Sequence, residues 1–117
     1  MASIILIDDY DHFRMITSMM LENSGHEVRV ANNGENGLKL FKDEPADIVI
    51  TDLHMPGIDG IDVIVELRRI SSDVKIAVMS GFLEQSGEIP DIDADIFIAK
   101  PVSSKNLYAA INKLLSS

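Results

Sequence analysis

Five short apolar runs, Ile4–Ile7, Val28–Val30, Ile48–Ile50, Ile76–Met79 and Ile96–Ile98, punctuate the chain and leave room for a helix between successive runs. Each is too short for a helix and rich in β-branched residues, as strands buried on both faces of a parallel sheet are. Segments of helical period separate them. Phe13, Ile16 and Met20, with Met19 alongside, form one stripe over residues 12–23, and Asn23, Ser24 and Gly25 supply the stop. Glu35 to Asp43 carries Leu38 and Phe41 on one side and is closed by Pro45. Ile61 to Ile70 offers Ile61, Ile64, Val65 and Leu67, with Arg68 and Arg69 placed to complement a helix C-terminus. The last segment starts at Ser103 or Ser104 as N-cap and buries Leu107, Ile111 and Leu114 or Leu115. Strand alternating with helix predicts an α/β domain built on a parallel sheet. The 117 residues make one domain, spanning 1–117. One segment fits poorly. The alternation asks for a helix within Gly81–Asp95, yet Gly81, Gly87 and Pro90 limit it to about two turns.

Ligands of open α/β sheets bind outside the carboxyl ends of the strands, so the residues that follow each apolar run carry the functional information. The first run is followed by Asp8-Asp9, the third by Thr51-Asp52, the fourth by Ser80-Gly81 and the fifth by Lys100-Pro101; the second ends in a plain loop, Ala31 to Gly34. In a parallel sheet three carboxylates, a hydroxyl and an ammonium then converge at one end. Two carboxylates about 4 Å apart repel by roughly 1 kcal/mol in water and about 4 kcal/mol at an effective dielectric near 20. Three together draw in protons or a cation. A hard divalent ion answers this, and Mg²⁺ takes one or two carboxylates, keeps several waters and pairs with phosphate oxygens.

Composition narrows the partners. With 10 Lys and Arg against 19 Asp and Glu, a formal net charge of −9 disfavours a phosphate backbone or an anionic membrane as a direct ligand. The absence of cysteine excludes disulfides and thiolate chemistry, no apolar run approaches a membrane span, and no secretory signal opens the chain. A cytoplasmic protein is the expectation. His12 and His26 read as surface residues with no partner at metal-ligand spacing, and Met15, Met19 and Met20 as core and partly exposed helix flank.

Ile7-Asp8-Asp9, the stretch from Asp52 through Met55-Pro56 to Asp59-Gly60, Ser80-Gly81 and Lys100-Pro101 together resemble the receiver domain of two-component response regulators, of the single-domain, chemotaxis-regulator kind. The resemblance covers essentially the whole chain. It implies a flavodoxin-like doubly wound sheet of order 2-1-3-4-5 flanked by five helices, the fourth short or irregular here. It implies that Asp52 accepts a phosphoryl group from a phosphohistidine of a sensor histidine kinase or histidine phosphotransfer protein. Asp8, Asp9 and Asp52 would hold Mg²⁺, Asp9 directly and Asp8 through water, with the His54 backbone carbonyl as a further ligand. Lys100 would pair with Asp52 and then with phosphoryl oxygens, and Ser80 would hydrogen-bond the phosphoryl group. Phe97 matches the switch aromatic, and the Lys100–Pro101 peptide would be cis. His54 and Phe82 occupy positions that tune phosphoryl loss, where a bulky Phe82 would obstruct the attacking water. Output would pass to a downstream protein through the face of the fourth helix, fifth strand and last helix. The residues agree with this chemistry: a carboxylate is a competent nucleophile, and phosphoryl transfer needs mainly positioning and charge neutralisation.

Two other functions compete. Asp9-Tyr10-Asp11 mimics the start of aspartate-nucleophile phosphohydrolases, although His12 follows where a small residue is expected. A phosphorylation-independent interaction module of the same fold is the other, against which the intact Asp8, Asp9, Asp52, Ser80 and Lys100 set argues. Because no output segment follows Leu115, action by protein contact, as a single-domain regulator or phosphorelay shuttle with at most slow catalysis of its own phosphorylation and dephosphorylation, is expected; a receiver excised from a longer protein is the equal alternative. Five further acids, Glu84, Glu88, Asp91, Asp93 and Asp95, lie where no Lys or Arg occurs between Lys75 and Lys100, which predicts a negatively charged face that selects the partner.

Overall fold

The five apolar runs become the strands β1 (Ser3–Ile7), β2 (Glu27–Ala31), β3 (Ile48–Asp52), β4 (Lys75–Ser80) and β5 (Ile96–Ala99). In the computed structural model, which describes residues 2–53, 55, 57–81, 92–100 and 102–116, they form one sheet of order β2-β1-β3-β4-β5. All four pairings are parallel. Four helices are present among the described residues: α1 (Asp11–Asn23), α2 (Gly34–Asp43), α3 (Gly60–Ile70) and α4 (Ser104–Leu115). The other helix expected within Gly81–Asp95 falls largely on residues 82–91, outside the described residues.

Alternate strand residues face opposite sides of the sheet, and each side has its own core. Ile5, Ile7, Val49, Ile76 and Val78 meet Leu38 and Phe41 of α2 and Val63, Ile64 and Leu67 of α3. Ile4, Leu6, Ile48, Ile50, Ala77 and Met79 meet Leu21 of α1 and Leu107, Ile111 and Leu114 of α4. Full burial of one such aliphatic side chain contributes about 1.5–3 kcal/mol. Side-chain oxygens start three helices: Asn33, Asp59 and Ser103 accept from the backbone N–H of Asn36, Asp62 and Asn106 at 2.8, 3.1 and 3.1 Å.

Three expectations change. The second strand is not buried on both faces: it is an edge of the sheet, with Glu27 exposed and Val30 47% exposed. In α1 the inward stripe is Phe13, Thr17, Met20 and Leu21, while Ile16 and Met19 are exposed. In α3 the buried set is Val63, Ile64 and Leu67, and Ile61 and Val65 point outward. A single sheet surface covers only one stripe of a helix, so an extra apolar residue beside that stripe stays in water.

Two polar contacts were also unforeseen. His26 has a partner, since its Nδ1 accepts from the Ala2 N–H at 3.0 Å and ties the chain start to the lead-in of β2. Arg68, at the end of α3, donates to Val74 O (2.7 Å), Asp93 O (3.0 Å) and Asp95 Oδ2 (2.9 Å). The same Asp95 oxygen accepts from Ile76 N–H at 2.7 Å. Asp93 and Asp95 are therefore answered by Arg68, and the acidic segment before β5 is less uncompensated than its composition implies.

Candidate functional site

The parallel strands end side by side, and their last residues carry the polar groups. Asp8 follows β1, Asp52 closes β3, Ser80 closes β4 and Lys100 follows β5. Asp8 is fully buried, Asp52 and Ser80 are buried, and Asp9 is exposed at the rim. One carboxylate oxygen from each of Asp8, Asp9 and Asp52 lies within 4.8 Å of the others. Lys100 Nζ donates to Asp52 Oδ2 at 2.6 Å and to Asp8 Oδ2 at 3.0 Å.

Local structure explains these positions. The Tyr10 N–H donates to Asp8 Oδ1 at 2.9 Å, and Arg14 Nη1 donates to the Asp8 carbonyl at 2.8 Å, so α1 grips the acidic loop that precedes it. Beyond Asp52 the chain turns at Gly57, whose φ of 78° is costly for other residues, and re-enters at Gly60. A Cβ on Gly60 would lie 2.1 Å from the Asp52 carbonyl oxygen and 2.6 Å from Leu53 Cα. The Gly60 N–H donates to Leu53 O at 2.9 Å. Gly60 thus lets the start of α3 press against the backbone that carries Asp52.

Burial pushes the Asp8 carboxyl up, and the neighbouring Asp52 charge adds to this; the Tyr10 N–H and Lys100 offset only part of it. Burial alone would lower the Lys100 ammonium, but its hydrogen bonds to Asp52 and Asp8 outweigh that, so its pKa lies above the ordinary 10.5. Three ionised carboxylates and one ammonium leave two negative charges in a nest of hard oxygen donors. That donor set and deficit fit one divalent cation such as Mg²⁺, with Asp8, Asp9 and Asp52 as the protein groups able to hold it.

The structure therefore brings together Asp8, Asp9, Asp52 and Lys100, with Ser80 at the adjoining strand end. Phe97 lies in β5, partly buried and packed against the α2–α3 side of the core. His54, Phe82 and Pro101 lie outside the described residues. Asp11, needed by the phosphohydrolase reading, is instead an exposed partner of Arg14 at 2.7 Å in the first turn of α1. Sequence reasoning missed one neighbour: the Phe13 ring, whose centroid lies 4.3 Å from Lys100 Nζ. The only signal for it was an aromatic at the start of the helix that follows two acids.

The family model for the response regulator receiver domain matches residues 4–112. The transcriptional regulatory protein AfsQ1 of Streptomyces coelicolor is 32% identical over 98% of this chain, which spans 52% of that protein. The chemotaxis protein CheY of Bacillus subtilis is 34% identical over 97% of each chain. The chain thus spans about half the length of several curated relatives and nearly all of another. Among solved structures, the response regulator TrrA of Thermotoga maritima, in complex with Mg²⁺ and BeF, superposes with a TM-score of 0.89 at 32% identity, covering 97% of this chain and 99% of that one. A match running from β1 into α4, on a sheet of the expected strand order, leads to one conclusion: the chain belongs to the receiver domain family of two-component response regulators.

Proposed function

We propose that Asp52 is the phosphoryl acceptor of this receiver domain, taking the group from a phosphohistidine of a sensor histidine kinase or a histidine phosphotransfer protein. Phosphorylation-dependent signalling is the role of the family. The observation that carries the assignment to Asp52 is the shared Lys100 ammonium, 2.6 Å from Asp52 and 3.0 Å from Asp8, inside a three-carboxylate cluster. An Asp52 oxygen attacks phosphorus, the P–N bond breaks, and its electron pair leaves with the imidazole, which takes up a proton. Lys100 then moves its hydrogen bond from the carboxylate to a phosphoryl oxygen, and the hydroxyl of buried Ser80, at the adjoining strand end, hydrogen-bonds another. Mg²⁺ held by Asp8, Asp9 and Asp52 would shield the phosphoryl charge. Phosphorylation and hydrolysis on Asp52 are slow, single-site events rather than turnover of free substrates.

The output is contact with another protein, through the face that includes β5, Phe97 and α4. A chain with a net charge of −9 is poorly suited to direct contact with nucleic acid. Among the described residues no helix is long and apolar enough to cross a membrane, and the cytoplasm, where its phosphodonor would be, is the proposed location. The test is incubation with acetyl phosphate or beryllofluoride, with and without Mg²⁺, on wild type and Asp52→Asn. An Mg²⁺-dependent adduct in wild type alone is expected. An adduct of equal yield on Asp52→Asn refutes the assignment.

A further inference from the structure

We propose that Phe13 is a positioning residue of the phosphoryl-acceptor site, its ring face holding the Lys100 ammonium beside Asp52. This rests on the roles of Asp52 and Lys100 proposed above. A lysine head on a four-carbon stem has many rotamers, and an ammonium has three donors. Two of the three are directed at Asp52 Oδ2 and Asp8 Oδ2. The ammonium also sits over the Phe13 ring, 4.3 Å from its centroid, well inside the roughly 6 Å range of cation–π attraction. The Lys100 side chain is only 18% exposed, so water competes weakly for this contact.

The ring is itself held firmly. Phe13 lies in the first turn of α1 and packs against the core shared with α4. The same helix grips the acidic loop through Arg14 and the Tyr10 N–H. Phe13 therefore has a fixed place relative to Asp8, and through Lys100 relative to Asp52. The contact does not depend on the charge of Asp52. When the carboxylate is esterified and Lys100 loses one partner, the ring face still restrains the ammonium where a phosphoryl oxygen arrives. An aliphatic side chain of similar size would fill the same space without that attraction.

A fluorination series separates the two roles. In the full chain, Phe13 is replaced by phenylalanines of increasing ring fluorination, which alters volume little and drains the ring face of negative potential stepwise. The Mg²⁺-dependent dissociation constant for beryllofluoride and the acetyl phosphate reaction rate are then measured. Affinity is expected to fall step by step, by about 3- to 10-fold at full fluorination, with Phe13→Leu at the weak end and Phe13→Tyr near wild type. The trend should vanish in a Lys100→Met background. A flat series, a trend of opposite sign, or a trend that survives Lys100→Met overturns the proposal. Failure of wild type itself to form an Asp52-dependent adduct would instead overturn the assignment of Asp52.

Discussion

Replacing Lys100 by Met keeps an apolar stem near Phe13 and removes the ammonium shared by Asp52 and Asp8. The lost charge lies 2.6 Å from one carboxylate oxygen and 3.0 Å from the other. At an effective dielectric near 20 these separations correspond to gross attractions of about 6 and about 5.5 kcal/mol. Carboxylate oxygens within 4.8 Å of each other repel by at least about 3.5 kcal/mol on the same scale, so the ammonium is what makes the pair tolerable. The variant does not lose all of that, because a proton can replace the ammonium. Protonating an aspartate of ordinary pKa 3.8 at about pH 7 costs about 4.4 kcal/mol, which caps the loss. At about pH 5.5 the cap falls to about 2.3 kcal/mol. Urea unfolding followed by circular dichroism should therefore show Lys100→Met destabilised by about 3–4 kcal/mol near pH 7 and by about 2 kcal/mol or less near pH 5.5. Millimolar Mg²⁺ should recover much of the loss, since a bound cation stabilises the folded state. An equal loss at both pH values, insensitive to Mg²⁺, would show that Lys100 acts through packing and refute the electrostatic account.

The alkaline limb gives an independent check: with its pKa raised above 10.5, Lys100 contributes its full stabilisation below that pH and loses it as pH rises through the folded value, a limb that Lys100→Met should lack. Asp8 has the opposite sense. Its raised carboxyl makes the folded state bind protons more readily than the unfolded one, so its contribution to stability falls as pH rises from about 3.8 through the folded value. Because Asp8 is one of the proposed cation ligands, calorimetric Mg²⁺ affinity should weaken on acidification at a pH above the ordinary carboxyl value, and Asp8→Asn should flatten that part of the profile. Gly60→Ala should cost about 3 kcal/mol and reduce adduct formation on Asp52, because the added methyl meets the Asp52 and Leu53 backbone rather than a movable side chain; a loss below about 1 kcal/mol would mean that α3 shifts freely. Arg68→Ala should cost about 2–3 kcal/mol in urea unfolding and speed amide exchange in β5, since it removes the donors that hold Val74, Asp93 and Asp95. A change within about 0.5 kcal/mol would show that Asp95 is held by Ile76 alone.

The strands and the location of the site were legible in the sequence because both are local properties. A β-branched run buried on two faces has the same composition wherever it lies in the sheet, and a parallel sheet places every residue that follows such a run at one end. Asp8, Asp9, Asp52, Ser80 and Lys100 could therefore be placed together before any coordinate was known, and their motifs named the family. Helix phase was less legible. Ile16, Met19, Ile61 and Val65 have the composition of core residues, yet the sheet surface covers only one stripe of each helix, and these fall beside it. Tertiary structure alone decided the pairings between distant segments. Lys100 and Asp8 are 92 residues apart, and Arg68 and Asp95 are 27 apart. No local pattern tells which acid will be buried beneath an ammonium, which will be answered by an arginine, or which aromatic ring will lie under the lysine. Those outcomes depend on where whole elements dock, because charge and desolvation act through space and not along the chain.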